Sequence, residues 1–451
     1  APDAAKENAS SGDLDYAKDA QVLESELPAS FMRATPAGEP RVVLLTGATG
    51  FLGAYVLADL LDKRRNHVQK VYVHVRANDA GSAQRRLRDA LAGRGLWREA
   101  WEQEGRVQAV VGDLSKPHLG LNDEDWAHLA KEVDVIVHNG ALVHWVYPYS
   151  KLRAANVLST MAVMRLANEG RPKSVAFVSS TSALDTEYYI RFSDTSAQGV
   201  LESDPLDGSA SDLKSGYGQS KWVAERLLMA AASRGLAAVI IRPGYVVGDS
   251  KTAVTNTDDF LFRLIKGSAQ LGLIPDMNNT INMVPVDHVA RVTSLAGLAA
   301  TQWPENRQTH AAVFHVTSHP TIRYNEFLGA LIEYGWNVRP AEYLEWRTAL
   351  ENHVLASAAA GNTGLDADSN ALFPLLHFVL DDLPTSTKSP ELNDANTTKL
   401  LTEAHELDVV RGVDVPLVGL YLSWLVAVGF LPPPASKSAP TMPTLPEGAA
   451  P

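Results

Sequence analysis

The sequence contains no cysteine in its 451 residues. This absence excludes disulfides, thiolate metal sites and a cysteine nucleophile. Any thiol chemistry must therefore come from a substrate or a partner. The absence is also compatible with a reducing compartment, and we expect a cytoplasmic location.

The sequence is also poor in positive charge and in long apolar runs. Its net charge of −12 argues against nucleic-acid and anionic-membrane partners. The longest apolar stretch, residues 417–431, is interrupted by Gly419 and Gly429 and is shorter than the roughly 20 residues of a membrane span. Pro416 is placed to begin a helix there and Gly429 to end it, so we expect a helix packed on the core.

From residue 41 to about residue 250, short apolar runs alternate with helical stretches such as Ala54–Leu61 and Lys221–Ala232. Near-continuous apolar strands separated by helices predict an α/β fold with a doubly wound parallel sheet. The six predicted strands are Arg41–Thr46, Val71–Val75, Val107–Val111, Val133–Val137, Ser174–Ser179 and Ala238–Ile241.

The remaining residues predict three further segments. Residues 251–435 form a smaller, mostly helical substrate-binding lobe with one strand-like run at Val313–Val316. Residues 1–40 are a linker that contains one helix at Tyr16–Leu27, and residues 436–451, rich in proline and alanine, are a flexible tail. The helices predicted in the lobe are Phe260–Ala269, Val286–Ala300, Asn325–Tyr334 and Tyr343–Ala356.

A glycine-rich motif, TGATGFLG over residues 46–53, lies between the first strand and the first helix. Gly47 permits a tight turn, Gly50 lets the backbone approach a pyrophosphate, and Gly53 lets the helix pack closely on the sheet. The helix N-terminus then faces the phosphates. The motif predicts a dinucleotide-binding Rossmann domain at residues 41–250, with further contacts from Thr46, Thr49, Phe51 and Leu52.

The second strand ends at Arg76, where an NAD-binding chain would carry an acid for the ribose 2′-hydroxyl. An arginine suits a 2′-phosphate by charge and by geometry, so we expect NADPH. Arg86 is either a second clamp for that phosphate or part of a solvated face with Arg85 and Arg88.

The later strand ends predict the rest of the cofactor site. An acid and a leucine after the third strand are placed to bind the adenine, and small residues after the fourth leave room for the ribose. A Pro-Gly pair after the sixth strand brings backbone to the nicotinamide amide. These residues are Asp113, Leu114, Asn139, Gly140, Ala141, Pro243 and Gly244.

Two histidines near the fourth strand, His138 and His144, raise the question of a metal site. Neither has an acidic or histidine partner at ligand spacing. We therefore expect no metal.

Hydride addition to a carbonyl needs a proton donor for the oxygen, and a tyrosine four residues before a lysine on a helix suits this task. The spacing occurs twice, at Tyr147–Lys151 and Tyr217–Lys221. The second pair opens a strong helix and follows a strand that ends in hydroxyl residues, so we favour it as catalytic. We expect the ammonium of Lys221 to lower the pKa of Tyr217.

A hydroxyl from the end of the fifth strand can share the developing oxyanion with the tyrosine. Ser180 fits that position by counting along the strand, and Thr181 is adjacent. The sequence leaves the choice between them open.

Several motifs together resemble the terminal reductase domains of carrier-protein-linked synthetases, which are extended short-chain dehydrogenases/reductases. The resemblance covers residues 41–433 and is strongest to the aminoadipate reductases of fungi. The motifs are TGATGFLG, HVRA, GDL, HNGALVHWVYPYSKLRAANV, FVSSTSALD, YGQSKWVAE and RPGYVVG, followed by LLHFV, LPTSTK, PELND and GFLP.

The resemblance implies a phosphopantetheine-bound acyl thioester as substrate, carried by an acyl or peptidyl carrier domain behind an upstream adenylation domain. NADPH reduces it to an aldehyde while Tyr217 and Ser180 or Thr181 stabilise the oxyanion and Lys221 holds the ribose. In the fungal group, aminoadipyl thioester becomes the semialdehyde of lysine biosynthesis. Such a substrate carries an ammonium and a carboxylate, so an acidic and a basic residue should line the lobe.

Other functions fit parts of the pattern. Related reductases act on aryl or polyketide-type acids, and the sequence leaves open whether reduction stops at the aldehyde or continues to the alcohol. Sugar-nucleotide epimerases and dehydratases share the fold but usually use NAD, which Arg76 disfavours. A cofactor-sensing module would lack the Tyr–Lys pair, and intact NADPH residues argue against a non-redox cyclising domain.

Overall fold

The computed structural model describes residues 14–35, 38, 40–144, 146–303, 311–359, 370–376, 379, 383–385, 387–435, 441–447 and 449. The start of the predicted linker, residues 1–13, and half of the predicted tail lie outside the described residues, as do parts of the LLHFV and LPTSTK motifs.

The central feature is a seven-stranded parallel sheet. Its strands are β1 (Arg41–Thr46), β2 (Val68–Val75), β3 (Val107–Val111), β4 (Val135–His138), β5 (Ser174–Val178), β6 (Ala238–Pro243) and β11 (Ala312–Val316). Their order is β3-β2-β1-β4-β5-β6-β11. The predicted doubly wound fold is confirmed.

Six shorter strands form three two-stranded pairs outside this sheet. They are β7 (Tyr245–Val247), β8 (Leu273–Pro275), β9 (Thr280–Ile281), β10 (Met283–Pro285), β12 (Ile322–Arg323) and β13 (Arg339–Ala341). The expectation of a single strand beyond residue 250 was wrong, because strands of two or three residues are too short to show alternation in a sequence.

The helices surround the sheet and build the second half of the chain. They are α1 (Tyr16–Ser25), α2 (Phe51–Ala58), α3 (Ala80–Ala92), α4 (Glu99–Gln103), α5 (Asp123–Glu132), α6 (Tyr149–Arg153), α7 (Ser159–Ala167), α8 (Glu187–Thr195), α9 (Gly216–Ser233), α10 (Phe260–Leu271), α11 (Val286–Ala299), α12 (Tyr324–Glu333), α13 (Tyr343–Ala359), α14 (Ala395–Glu403) and α15 (Val415–Ala427).

Alternate residues of each central strand face opposite layers of the core. In β1, Val43 and Leu45 pack in a cluster with residues of α2, α3 and α11, whereas Leu44 packs with residues of α7 and α9. All three β1 side chains are fully buried. Burial on both faces explains why the strands read as continuous apolar runs.

The seventh strand comes from beyond the predicted domain boundary. The strand expected at Val313–Val316 exists and pairs with β6, and α11 covers one face of the sheet. Residues on both sides of position 250 therefore build the central sheet, and the division of the chain at that position stays a prediction.

A third apolar cluster holds the rest of the second half together, with α10, α12 and α15 among its contributors. The predicted apolar helix is α15, and it packs on the core as expected. Gly429 follows it with a positive φ of 74°. Among the described residues, no helix is long and apolar enough to cross a membrane.

The helix of the predicted linker, α1, is bound to the core. The Tyr16 hydroxyl donates to the carbonyl of Ser209 at 2.8 Å. The carboxylate of Asp19 accepts hydrogen bonds from Tyr149 and from Arg153, the latter at 2.7 and 3.0 Å. This end of the segment is thus fixed beside the start of α6.

Candidate active site

A large cavity of ≈ 1780 Å³ opens at the carboxyl ends of the parallel strands. Because these ends share one edge of the sheet, motifs far apart in sequence meet there. The predicted residues that line it are Gly47, Thr49, Gly50, Phe51, Leu52, Gly53, Arg76, Arg86, Asp113, Leu114, Asn139, Gly140, Ala141, Ser180, Thr181, Tyr217, Lys221, Pro243 and Gly244.

Two glycines of the glycine-rich loop, Gly47 and Gly53, have no room for a side chain. Gly47 has a φ of +78°, and a Cβ there would lie 2.6 Å from the Cα of Gly140. A Cβ on Gly53 would lie 2.0 Å from the carbonyl oxygen of Gly47. α2 starts directly after Gly50 with no side-chain cap, so its first N–H groups are left for a ligand.

Thr46 is fully buried and lies behind the cavity wall, unlike the other residues of its motif that were predicted to bind the cofactor. Its hydroxyl accepts from the Gly140 N–H at 2.9 Å and lies 2.9 Å from Nδ1 of His138. Burial lowers the pKa of His138 to about 3, so this imidazole is neutral. Thr46 and His138 therefore fix the loop after β4, a role that sequence reasoning did not give to the histidine.

Two guanidinium groups stand at one edge of the cavity. Arg86 donates from Nη1 to the carbonyl of Arg76 at 2.6 Å, and both residues are exposed. Hydrogen bonds from Ser115 lower the pKa of Asp113, and the charge of Arg76 adds to this effect. Asp113 thus carries a negative charge beside Arg76, with its carboxylate held by the loop that follows β3.

Tyr217 and Lys221 lie together in the first turns of α9. The Lys221 Nζ is 5.6 Å from the centre of the Tyr217 ring and donates to the Val178 carbonyl at 2.7 Å. Burial lowers the pKa of Lys221 to about 8 and raises that of Tyr217 to about 12. The expected lowering of the tyrosine pKa was wrong, because desolvation of the phenol dominates and the amine is drawn toward β5.

Four consecutive hydroxyl residues, Ser179 to Ser182, follow β5. Ser179 is buried and donates to Glu225, so it is a structural group. Ser180 accepts from the N–H of Ser182 at 3.1 Å, and Thr181 begins the next short turn. Ser180 and Thr181 both face the cavity, and the choice between them stays open.

The alternative pair has a different geometry. Tyr147 precedes α6, with Pro148 as the N-cap, so the two residues do not share a helical face. The Tyr147 ring stacks on His144 with centroids 3.5 Å apart, and the Lys151 Nζ lies 5.0 Å from its centre. Tyr147 also lines the cavity.

A buried ion pair behind the site has no signal in the sequence. Arg242 and Glu225 are fully buried and joined by hydrogen bonds of 2.6 to 3.0 Å. Arg242 also lies 3.0 Å from Nε2 of His315, whose other ring nitrogen is 2.6 Å from the Asn393 carbonyl. This network links α9, β6 and β11 beneath the catalytic candidates. Among the described residues, no group of three histidine, aspartate or glutamate side chains could hold a metal.

Comparison with known proteins agrees with this geometry. Residues 45–293 match the family of NAD-binding domains described as Male sterility protein. L-2-aminoadipate reductase of Schizosaccharomyces pombe is 46% identical over 443 residues, which are 96% of this chain and 30% of that protein. The chain thus spans about a third of that relative's length.

Two solved structures resemble the chain. The terminal R domain from the myxalamid PKS-NRPS biosynthetic pathway has a TM-score of 0.78 and 32% identity, covering 93% of this chain and all of that one. A thiolation-reductase di-domain from an archaeal non-ribosomal peptide synthetase has a TM-score of 0.65 and 21% identity, covering 87% and 76%, and shares the fold. The chain therefore belongs to the Male sterility protein family, as an NAD(P)-binding thioester reductase domain homologous to L-2-aminoadipate reductase.

Proposed function

We propose that the chain uses NADPH to reduce a phosphopantetheine-bound L-2-aminoadipyl thioester to the aldehyde, 2-aminoadipate semialdehyde. The observation that carries this proposal is the position of Tyr217 and Lys221. They line the same cavity as the glycine-rich loop and the exposed Arg76. The similarity to a fungal aminoadipate reductase supports the choice of acyl group.

The cavity fits a phosphorylated dinucleotide. Gly47 and Gly53 have no room for side chains, and the glycine-rich loop leads directly into α2. The uncapped N–H groups at the start of this helix suit a pyrophosphate. Arg76 and Arg86 stand at the cavity edge, where a 2′-phosphate would find two cations, and Arg76 occupies the position after β2 that carries an acid in an NAD site. When bound, NADPH supplies the hydride that reduces the thioester carbon.

The residues of the chain supply the proton and stabilise the charge. Tyr217 stays protonated at neutral pH because burial raises its pKa to about 12, and a protonated phenol is the acid that a reduction needs. Ser180 or Thr181 donates a second hydrogen bond to the oxyanion. Lys221 holds the ribose. Loss of the carrier thiol from the reduced carbon then releases the aldehyde.

A carrier domain is the proposed partner, loaded by an upstream adenylation domain. Leu14 and Tyr16, at the start of the described chain, line the cavity, so a domain joined upstream would be tethered close to it. Leu142, Val143 and Val146 are exposed at the cavity wall, where a pantetheine arm could contact them. The lack of cysteine fits a cytoplasmic enzyme.

The test is an NADPH-consumption assay against a panel of acyl-pantetheine thioesters that includes L-2-aminoadipyl, aryl and polyketide-type acids. We expect the aminoadipyl thioester to be preferred and the product mass to be that of the aldehyde. Preference for an aryl or polyketide acid would replace the proposed substrate. Product with the mass of the alcohol would show that reduction continues by two more electrons.

A further inference from the structure

The part of the cavity that belongs to residues 251–435 contains charges of both signs. An L-2-aminoadipyl thioester carries an ammonium and a carboxylate on one carbon, three methylenes from the reacting carbonyl. Among the described residues of this region, the cavity is lined by one acidic side chain, Asp259, and one basic side chain, Lys388. The pair thus matches the two charges of the proposed acyl group.

Among the described residues, Asp259 forms no salt bridge, although the positive charge of Arg263 acts on it from a greater distance. One of its carboxylate oxygens accepts from the Leu261 N–H at 2.8 Å and caps α10. The neighbouring cation, Arg263, pairs with exposed Asp258 at 2.9 Å instead. Within the described part of the chain, no cation lies at salt-bridge distance from Asp259, and desolvation raises its pKa to about 6. A ligand ammonium would compensate the negative charge of Asp259.

Lys388 already holds a carboxylate at the cavity rim. Its Nζ lies 3.1 Å from the Asp194 carboxylate, and both side chains are about half exposed, at 48% and 56%. Exposed ion pairs of this kind contribute little to stability, so a lysine can exchange such a partner for a ligand carboxylate.

Tyr324 lies close to the chain segments that carry the two charged residues. Burial raises its pKa most, the charges of Tyr245 and Asp259 raise it further, and the nearby hydroxyl of Thr387 lowers it. Tyr324 is therefore near both Asp259 and Thr387, the residue before Lys388. Tyr245 lines the cavity just after the predicted nicotinamide-binding backbone, so this wall lies on the side where the acyl chain must enter.

We propose that Asp259 binds the ammonium and Lys388 the carboxylate of the acyl group, so that the pair selects aminoadipyl thioesters. The inference rests on the proposed function, and it names the two residues that would make the enzyme specific for the aminoadipyl group. The other acid nearby, Asp185, also lines the cavity, but it belongs to the loop after β5 and not to residues 251–435.

The test combines two variants with three pantetheine thioesters that keep each charged group at the same distance from the carbonyl: L-2-aminoadipyl, adipyl, which lacks the ammonium, and 5-aminopentanoyl, which lacks the carboxylate. Asp259→Asn keeps a side chain that can cap the helix. It should lower kcat/KM at least about tenfold for the two ammonium-bearing substrates and leave adipyl unchanged. Lys388→Met should lower it similarly for aminoadipyl and adipyl and leave 5-aminopentanoyl unchanged.

Asp408→Asn and Lys251→Met are matched controls, because both residues are exposed and lie outside the cavity lining. They should leave all three substrates unaffected. Equal losses on all three substrates, or no loss on any, would overturn the pairing while leaving the reductase function intact. A wild-type chain that reduces none of the three would overturn the proposed function, and the pairing with it.

Discussion

The phenol of Tyr217 is held in its acidic form by its surroundings. Burial raises its pKa to about 12 and lowers that of Lys221 to about 8. The pair would be poorly suited to removing a proton from an alcohol in this state. It is well suited to giving one to a carbonyl oxygen, which is the direction that reduction of a thioester requires.

Replacing Tyr217 with phenylalanine removes only the hydroxyl. We expect turnover of an acyl-pantetheine thioester to fall about a hundredfold, the usual scale for a lost general acid. NADPH affinity should be nearly unchanged because the ring remains. NADPH consumption and a fluorescence titration of NADPH measure the two quantities. Full activity in this variant would rule out the proposed acid.

Arg76→Ala tests the cofactor preference. Losing a charged hydrogen-bond donor to the 2′-phosphate should weaken NADPH binding about tenfold to a hundredfold and leave NADH binding unchanged. Arg85→Ala is the control, because this arginine is exposed and does not line the cavity. Equal weakening of both cofactors would contradict the assignment of Arg76 to the 2′-phosphate.

The lowered pKa of Lys221 predicts a pH dependence. The amine is charged below about pH 8 and neutral above it. Since kcat/KM reports ionisations of the free enzyme, kcat/KM for NADPH should fall as pH rises through about 8. The inflection should be absent in Lys221→Met, whose rate is lower throughout. A flat profile across this range in the wild type would argue against a titrating lysine at the ribose.

At the scale of elements, the strands and their order of appearance were predictable because parallel strands buried on both faces leave apolar runs. Their exact ends were not. β2 begins at Val68, three residues before the predicted start, because exposed Gln69 and partly exposed Lys70 interrupt the apolar run. α2 begins at Phe51, three residues before the predicted start at Ala54. The prediction excluded Gly53 because glycine is a poor helix former, but this glycine lies inside the helix, where close packing leaves no room for a side chain.

The cofactor and catalytic candidates could be predicted in the same way, since residues at the carboxyl ends of parallel strands must meet. Side-chain contacts between neighbouring elements of the fold could not be predicted. The buried Arg242–Glu225 pair and the Thr46–His138 contact join residues distant in sequence, and no local spacing indicates them. The wrong prediction for the pKa of Tyr217 has the same origin, because desolvation is a property of the folded cavity.

The tight junction between the glycine-rich loop and α2 gives a prediction for this element. Gly53→Ala would bring a Cβ to 2.0 Å from the Gly47 carbonyl oxygen, so the loop must move. We expect NADPH affinity to fall at least about tenfold, with a lower Tm. Gly329→Ala in α12 is the control: its Cβ would meet no atom within 4 Å, and alanine should stabilise the helix by about 0.5–1 kcal/mol. Normal NADPH affinity in Gly53→Ala would contradict the close-packing role.

At the scale of the whole molecule, the two halves of the chain share one sheet and several buried contacts. β11 completes the sheet from the second half. Arg64, after α2, and Arg291 in α11 both pair with Glu406, at the end of α14. The cavity is likewise lined from both halves. Cofactor site and acyl site therefore depend on one folded unit.

This organisation predicts that a fragment of residues 41–250 will not fold on its own. It would retain six of the seven strands of the central sheet but expose the apolar faces that α11 and β11 cover. Each buried apolar side chain returned to water costs about 1.5–3 kcal/mol. Several such losses exceed the total stability of about 5–15 kcal/mol that a native protein has. We expect the fragment to show no cooperative thermal transition by circular dichroism and no NADPH binding, whereas the full chain shows both. A fragment that unfolds cooperatively and binds NADPH would mean that the second half is an addition to an autonomous nucleotide-binding domain rather than part of its core.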